Sequence, residues 1–112
     1  NRLNPFFREA LTEGVVAHCA AAGLGFLAYS PTGGGRLTRK LPEHPVVRDV
    51  ARRVGASPHA IVLAWALAQA PCVIPIPSAR TPAHAEDSAS AADLDLGPAD
   101  LEELNAAEFS TA

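Results

Sequence analysis

Two short runs, Leu24–Ser30 (LGFLAYS) and Cys72–Ile76 (CVIPI), constrain this chain more than any other feature. Both are apolar on both faces and bounded by Gly or Pro. Strands of that kind are buried in a parallel sheet with helices over it. Helical patterns lie before, between and after the runs. That alternation predicts an α/β fold with a parallel sheet built from βα units. Two strands are too few to close such a sheet, so the remaining strands are expected in a longer parent chain or in a partner. Pro75 inside the second run predicts a bulge or a missing ladder bond near the strand's end.

The helices follow from apolar periodicity and from their punctuation. Residues 1–8 read as irregular. Leu11, Val15, Cys19 and Ala22 form a stripe that predicts one helix from about Arg8 to Ala22, stopped by Gly23. Arg36–His44 reads as a polar loop. Pro45 suits the first turn of a helix ending at Gly55, with Val46, Val47, Val50, Ala51 and Val54 facing inward. Ser57-Pro58 opens a helix that reaches about Ala70 and is apolar nearly all round, which predicts heavy burial. Thr81-Pro82 opens another, through about Ala92. Gly97-Pro98 opens the last, with Leu101 and Leu104 inward.

Composition narrows the class. The chain has 112 residues, no Met, and starts Asn1-Arg2-Leu3, without the pattern of a signal peptide. A fragment or a processed chain is therefore expected. Cys19 and Cys72 are too far apart for a CxxC pair and imply no disulfide framework, which fits a reduced, cytoplasmic protein. The uncharged stretch Ala60–Pro77 is cut by Pro71, Pro75 and Pro77 and is too short before them to span a bilayer. Charge is divided: residues 1–80 carry all nine Lys and Arg against four acids, and residues 81–112 carry eight acids alone. The first part suits an anion-binding region; the second suits helices with acidic outer faces.

Chemistry is expected at the carboxyl ends of the two strands, where parallel α/β proteins bind ligands. After the first comes Ser30-Pro31-Thr32-Gly33-Gly34-Gly35. Its N–H groups can form a nest for phosphate oxygens. A triple glycine alone also suits a flexible surface loop. After the second comes Ser78-Ala79-Arg80-Thr81-Pro82, directly before a helix. A helix N-terminus attracts anions, and Arg80 adds a guanidinium fork suited to phosphate or to a surface acid. His84, Asp87 and Ser88 follow within two turns and can face the same way. Tyr29 sits beside the glycine loop and can stack on a ring or join the core. His18 reads as a surface residue, and His44 and His59 as surface or capping residues. No nucleophile elbow, paired-carboxylate motif or metal constellation is present, and nothing points to nucleic acid.

The run Ala28-Tyr29-Ser30-Pro31-Thr32-Gly33-Gly34-Gly35-Arg36-Leu37-Thr38-Arg39-Lys40 resembles the "AYSPLGGGLLTGK" segment of the aldo-keto reductases. Ala64-Trp65 with Val73-Ile74-Pro75-Ile76-Pro77 resembles their "LAW…VIPIPG". Asn1–Pro5 is similar to the "NxYN" loop after their sixth strand, and Ala92–Leu96 to "AxDLxL" before their last helix. The resemblance spans essentially the whole chain, in the right order. It implies the C-terminal portion of an eight-stranded βα (TIM) barrel over residues 1–112: helix six, strand seven, helix seven, strand eight, helix eight and the final helix. It also implies an NADPH-dependent oxidoreductase acting on small aldehydes and ketones.

By position, the resemblance gives Tyr29 the nicotinamide, and Ser30, Pro31, Thr32, Gly33 and Gly34 the pyrophosphate. Lys40 would reach the phosphates across the cofactor. Ser78, Arg80 and His84 would hold the 2′-phosphate, with Asp87 and Ser88 near the adenine. Thr32, Ser78 and Asp87-Ser88 depart from the family's usual Leu, Gly and Glu-Asn. The family's catalytic Tyr, Asp, Lys and His lie in the first half of its barrel and have no counterpart here, so the isolated chain is expected to be inactive. The alternatives are a non-catalytic NADP(H)-binding or regulatory protein on this scaffold, and a phosphate-binding barrel of another family. Open sheet edges and apolar helix faces predict self-association, or pairing with the missing N-terminal part.

Overall fold

In the computed structural model, which describes residues 1–112, the two apolar runs pair as parallel strands β1 (Phe26–Ala28) and β2 (Val73–Pro75). Their register is Phe26 to Val73, Leu27 to Ile74 and Ala28 to Pro75. The start of the chain, expected to be irregular, extends this sheet. Arg2 forms a parallel bridge with Tyr29, and the Tyr29 N–H donates to the Asn1 carbonyl at 3.2 Å. Pro75 causes no bulge. The Phe26 N–H donates to the Cys72 carbonyl and the Ile76 N–H to the Ala28 carbonyl. Alternate residues bond to β1, so the Pro75 nitrogen faces the unpaired edge, where no donor is needed.

One face of the sheet is covered and the other is bare. Phe26, Ala28 and Val73 lie under helices, whereas Leu27, Tyr29, Ile74 and Ile76 are each at least half exposed. The runs are thus half-buried here, not buried on both faces, because the other face has nothing packed on it.

The expected first helix is two. α1 (Glu9–Thr12) and α2 (Val15–Ala22) are separated by Gly14 in the left-handed region, φ 85°. The break has a packing reason. Ala10 and Val16 are both buried, yet a continuous helix would place residues six apart about 120° apart around its axis. α2 ends at Gly23, as its position predicts. The expected polar loop after β1 contains a helical turn, α3 (Gly35–Thr38), and a 3₁₀ turn at Leu41–Glu43. Leu37 and Leu41 anchor these turns in the core.

The remaining helices follow their caps. α4 (Pro45–Val54) buries Val47, Val50 and Ala51 and stops at Gly55. The His44 ring caps it, accepting at Nδ1 from the N–H of Val46 and Val47. α5 (Pro58–Leu67) is capped by Ser57 and buries every residue from Ala60 to Ala66. It ends three residues earlier than its apolar run predicts. The Trp65 indole N–H donates to Asn105 at 2.8 Å, which satisfies its one polar atom. α6 (Pro82–Ser90) is capped by Thr81 and buries no residue; a 3₁₀ turn at Ala91–Asp93 follows it. α7 (Pro98–Ala106) packs through Leu104.

Arg8 ties the two ends of the chain. Its guanidinium donates to the carbonyls of Asn105 at 2.7 Å, Leu104 at 3.1 Å and Ala107 at 3.4 Å, while its Nε donates to Pro5. A cation there complements the negative end of α7. Burial lowers the affinity of this guanidinium for its proton below the ordinary value. Arg53 shifts upward instead, because its guanidinium donates to the carboxylates of Asp100 and then Glu103 on α7.

Candidate functional site

The loop after β1 is built around one buried asparagine. Asn4 has no exposed surface. Its amide donates to the Ser30 carbonyl at 2.8 Å, and its side-chain oxygen accepts from the N–H groups of Phe6 and Phe7. Ser30 is the one non-glycine residue with positive φ, at 47°. A serine there is strained, and Asn4 helps to hold it. The Gly33 N–H closes the turn onto the same Ser30 carbonyl at 2.9 Å.

Gly33 is the position where only glycine fits. Its φ is 100°, and a Cβ there would meet Leu37 at 2.9 Å and the Phe6 ring at 3.1 Å. The loop is closed further by two threonines. The Thr38 hydroxyl donates to the Thr32 carbonyl at 3.0 Å, which leaves the Thr32 hydroxyl to donate to Thr38 Oγ1 at 2.6 Å. These bonds make the start of the glycine run a held turn.

Facing this loop across a cleft of about 650 Å³ is the start of α6. Ser30, Pro31, Thr32 and Gly34 line one wall, and Ser78, Arg80, His84, Asp87 and Ser88 the other. Those are nine of the twelve residues that the sequence points to. Arg80 is exposed and has no ion pair or hydrogen bond within the chain. The Asp87 carboxylate accepts from the Ser57 hydroxyl at 2.6 Å, which couples α6 to the cap of α5. The cleft can hold an extended anion, with N–H donors from the loop and cations from the start of α6.

Three expected residues lie elsewhere. Gly33 is beneath the loop, against Phe6 and Leu37. Tyr29 stands on the bare sheet face with Leu27, beside the cleft rather than in its lining. Lys40 makes its contacts outside the cleft. Its ammonium donates to the carbonyls of Ser110 at 2.6 Å and Ala112 at 3.1 Å. It shares the segment 108–112 with Arg36, which donates to Thr111 and Ala112, and with His44, which donates from Nε2 to Glu108 at 2.9 Å. Phe109 stacks on the His44 ring at 4.1 Å. The lone lysine is a tie for the tail, not a lining of the cleft.

Sequence reasoning also missed residues that the structure brings in. Arg39, at the end of α3, and His59, in the first turn of α5, both line the cleft. A cation next to Lys40 and a histidine beside Ser57-Pro58 were the only signals. A second groove of about 570 Å³ lies behind it, between Arg48 and Arg52 of α4 and Asp87 and Ser90 of α6. No helix is long and apolar enough to cross a membrane.

Known proteins resemble this chain in sequence and fold. The model of the Aldo/keto reductase family matches residues 1–108. Aldo-keto reductase family 1 member A1 of Pongo abelii is 35% identical over 98 residues, 82% of this chain and 30% of that protein. Methylglyoxal reductase YeaE of Escherichia coli (strain K12) is 32% identical over 90 residues, 80% of this chain and 31% of that protein. The crystal structure of an aldo-keto reductase from Klebsiella pneumoniae in complex with NADPH superposes with a TM-score of 0.83 at 27% identity, covering 93% of this chain and 36% of that one. The chain thus spans about a third of the length of the proteins that it matches. With the family pattern running from its first residue through residue 108, on an α/β fold that superposes on the family's solved structures, this chain belongs to the aldo/keto reductase family.

Proposed function

We propose that the protein carrying this chain is an NADPH-dependent oxidoreductase that reduces the carbonyls of small aldehydes and ketones. Residues 1–112 are its closing barrel portion and supply the pyrophosphate and 2′-phosphate part of the cofactor site. The observation that carries this reading is the cleft, with a held glycine turn on one wall and the unpaired Arg80 at a helix start on the other. The bare sheet face fits the same reading. Leu27, Tyr29, Ile74 and Ile76 would face the barrel interior once the remaining strands are in place.

The residues fit a dinucleotide. The absence of a Cβ at Gly33 lets the Ser30–Gly34 turn pack down on Phe6 and Leu37, and Ser30, Pro31, Thr32 and Gly34 line the cleft above. Arg80 and His84 present cationic or donor groups next to the first turn of α6, suited to a phosphate dianion. Asp87 and Ser88 supply polar edges beyond them. The cofactor, when bound, supplies the hydride that reduces the carbonyl. This chain's part is to hold and orient it; Tyr29, beside the loop, offers a flat surface for the nicotinamide ring. The proton for the product would come from residues outside positions 1–112.

Arg80 makes the test selective, because only NADPH carries the extra phosphate. Nucleotide fluorescence titration with NADPH and NADH checks it. Arg80→Ala should weaken NADPH by about 1.5–3 kcal/mol, the worth of a charged hydrogen bond, and leave NADH nearly unchanged. Equal binding of the two nucleotides by the unsubstituted protein would refute the role of Arg80.

A further inference from the structure

Most of the chain's cations already have partners. Arg8 is spent on α7, Arg36 and Lys40 on the tail, Arg53 on Asp100 and Glu103, and Arg2 lies over the Phe7 ring at 3.5 Å. Arg52 approaches Asp49 at 4.0 Å. Arg39, Arg48 and Arg80 make no hydrogen bond or ion pair. Two of those three, Arg39 and Arg80, line the same cleft, one at the end of α3 and the other just before α6. Charges left unpaired in a concave site are available to a ligand.

We infer that Arg39 is a binding contact for the pyrophosphate and that His59 positions it, an inference that rests on the dinucleotide reading above. Arg39 directly follows Thr38, whose hydroxyl closes the glycine turn on Thr32. It therefore belongs to the loop-side wall, away from Arg80 at the start of α6. The half-buried His59 ring reaches the Thr38 carbonyl from Nε2 at 3.2 Å. A carbonyl only accepts, so Nε2 carries the proton. That bond pins the end of α3 to the first turn of α5 and fixes the point from which the Arg39 side chain departs. With Lys40 engaged by the tail, Arg39 is the basic side chain of this loop that lines the cleft. Its guanidinium fork suits the paired oxygens of a diphosphate.

Both NADPH and NADH contain the pyrophosphate, so fluorescence titration with each nucleotide reads the assignment. Arg39→Ala should weaken both by the same factor, about tenfold or more. His59→Ala should weaken both less, and His59→Gln, which keeps an N–H for Thr38, should recover most of the loss. Because His59 acts through Arg39, adding His59→Ala to Arg39→Ala should cost almost nothing further. Loss confined to NADPH would place Arg39 on the 2′-phosphate and overturn the inference, as would unchanged binding or full additivity in the double variant. If the unsubstituted protein binds neither nucleotide, the dinucleotide reading itself fails, whatever Arg39 does.

Discussion

The glycine turn depends on Asn4. Its amide bonds two backbone N–H groups and one carbonyl while fully buried; if the side chain is cut, the Phe6 N–H loses its only partner, and Phe7 and Ser30 each lose one of two. Leaving a buried polar group unpaired costs about 1–3 kcal/mol. Asn4→Ala should therefore destabilise the protein by roughly 2–3 kcal/mol in urea unfolding. Relief of the Ser30 backbone should also widen the loop, which nucleotide affinity would register. A midpoint within error of the unsubstituted protein would show that water replaces the amide. Neither Asn4 nor Arg39 could be picked out as a site residue from the sequence alone. Their partners, Ser30 and the far wall of the cleft, are tens of residues away. The glycine turn at Gly33 and the helix start after Arg80 were legible because their signals are local: one sits in a glycine run, the other directly before Thr81-Pro82.

Among the elements, caps were readable and junctions were not. Ser57-Pro58 and Thr81-Pro82 announce their helices because capping needs only the next three residues. The break at Gly14 escaped notice because a glycine inside an apolar stripe can also be tolerated within one helix. The contacts of Lys40 were not legible for a further reason: its partners at Ser110 and Ala112 are set by the path of the chain after α7. Arg8 shows how strongly such a junction can be tied. It reaches three carbonyls at the end of α7 from 96 to 99 positions away. Arg8→Ala should cost about 2 kcal/mol in thermal or urea unfolding, in line with hydrogen bonds to a charged donor. Arg8→Lys should recover little, since a single ammonium lacks the planar fork. Full recovery by lysine would mean that charge at the helix end, and not the geometry, is what matters.

At the scale of the molecule, the sheet has one finished face. Leu27, Tyr29, Ile74 and Ile76 form an apolar surface with exposures of 50–56%. A polypeptide of these 112 residues alone should self-associate through it, as light scattering or sedimentation would show. Leu27→Lys with Ile74→Lys should shift it toward monomer. A clean monomer without those substitutions would count against the barrel-interior assignment of this face. The segment 108–112 has a different consequence, one of timing. The loop at residues 36–44 is gripped by carbonyls that lie 64 to 76 positions further along. During synthesis that loop leaves the ribosome long before the residues that secure it. The glycine turn can be shaped early by Asn4, but its outer rim stays unfastened until residues 108–112 arrive. The loop at residues 36–44 is thus secured only once residues 108–112 have emerged.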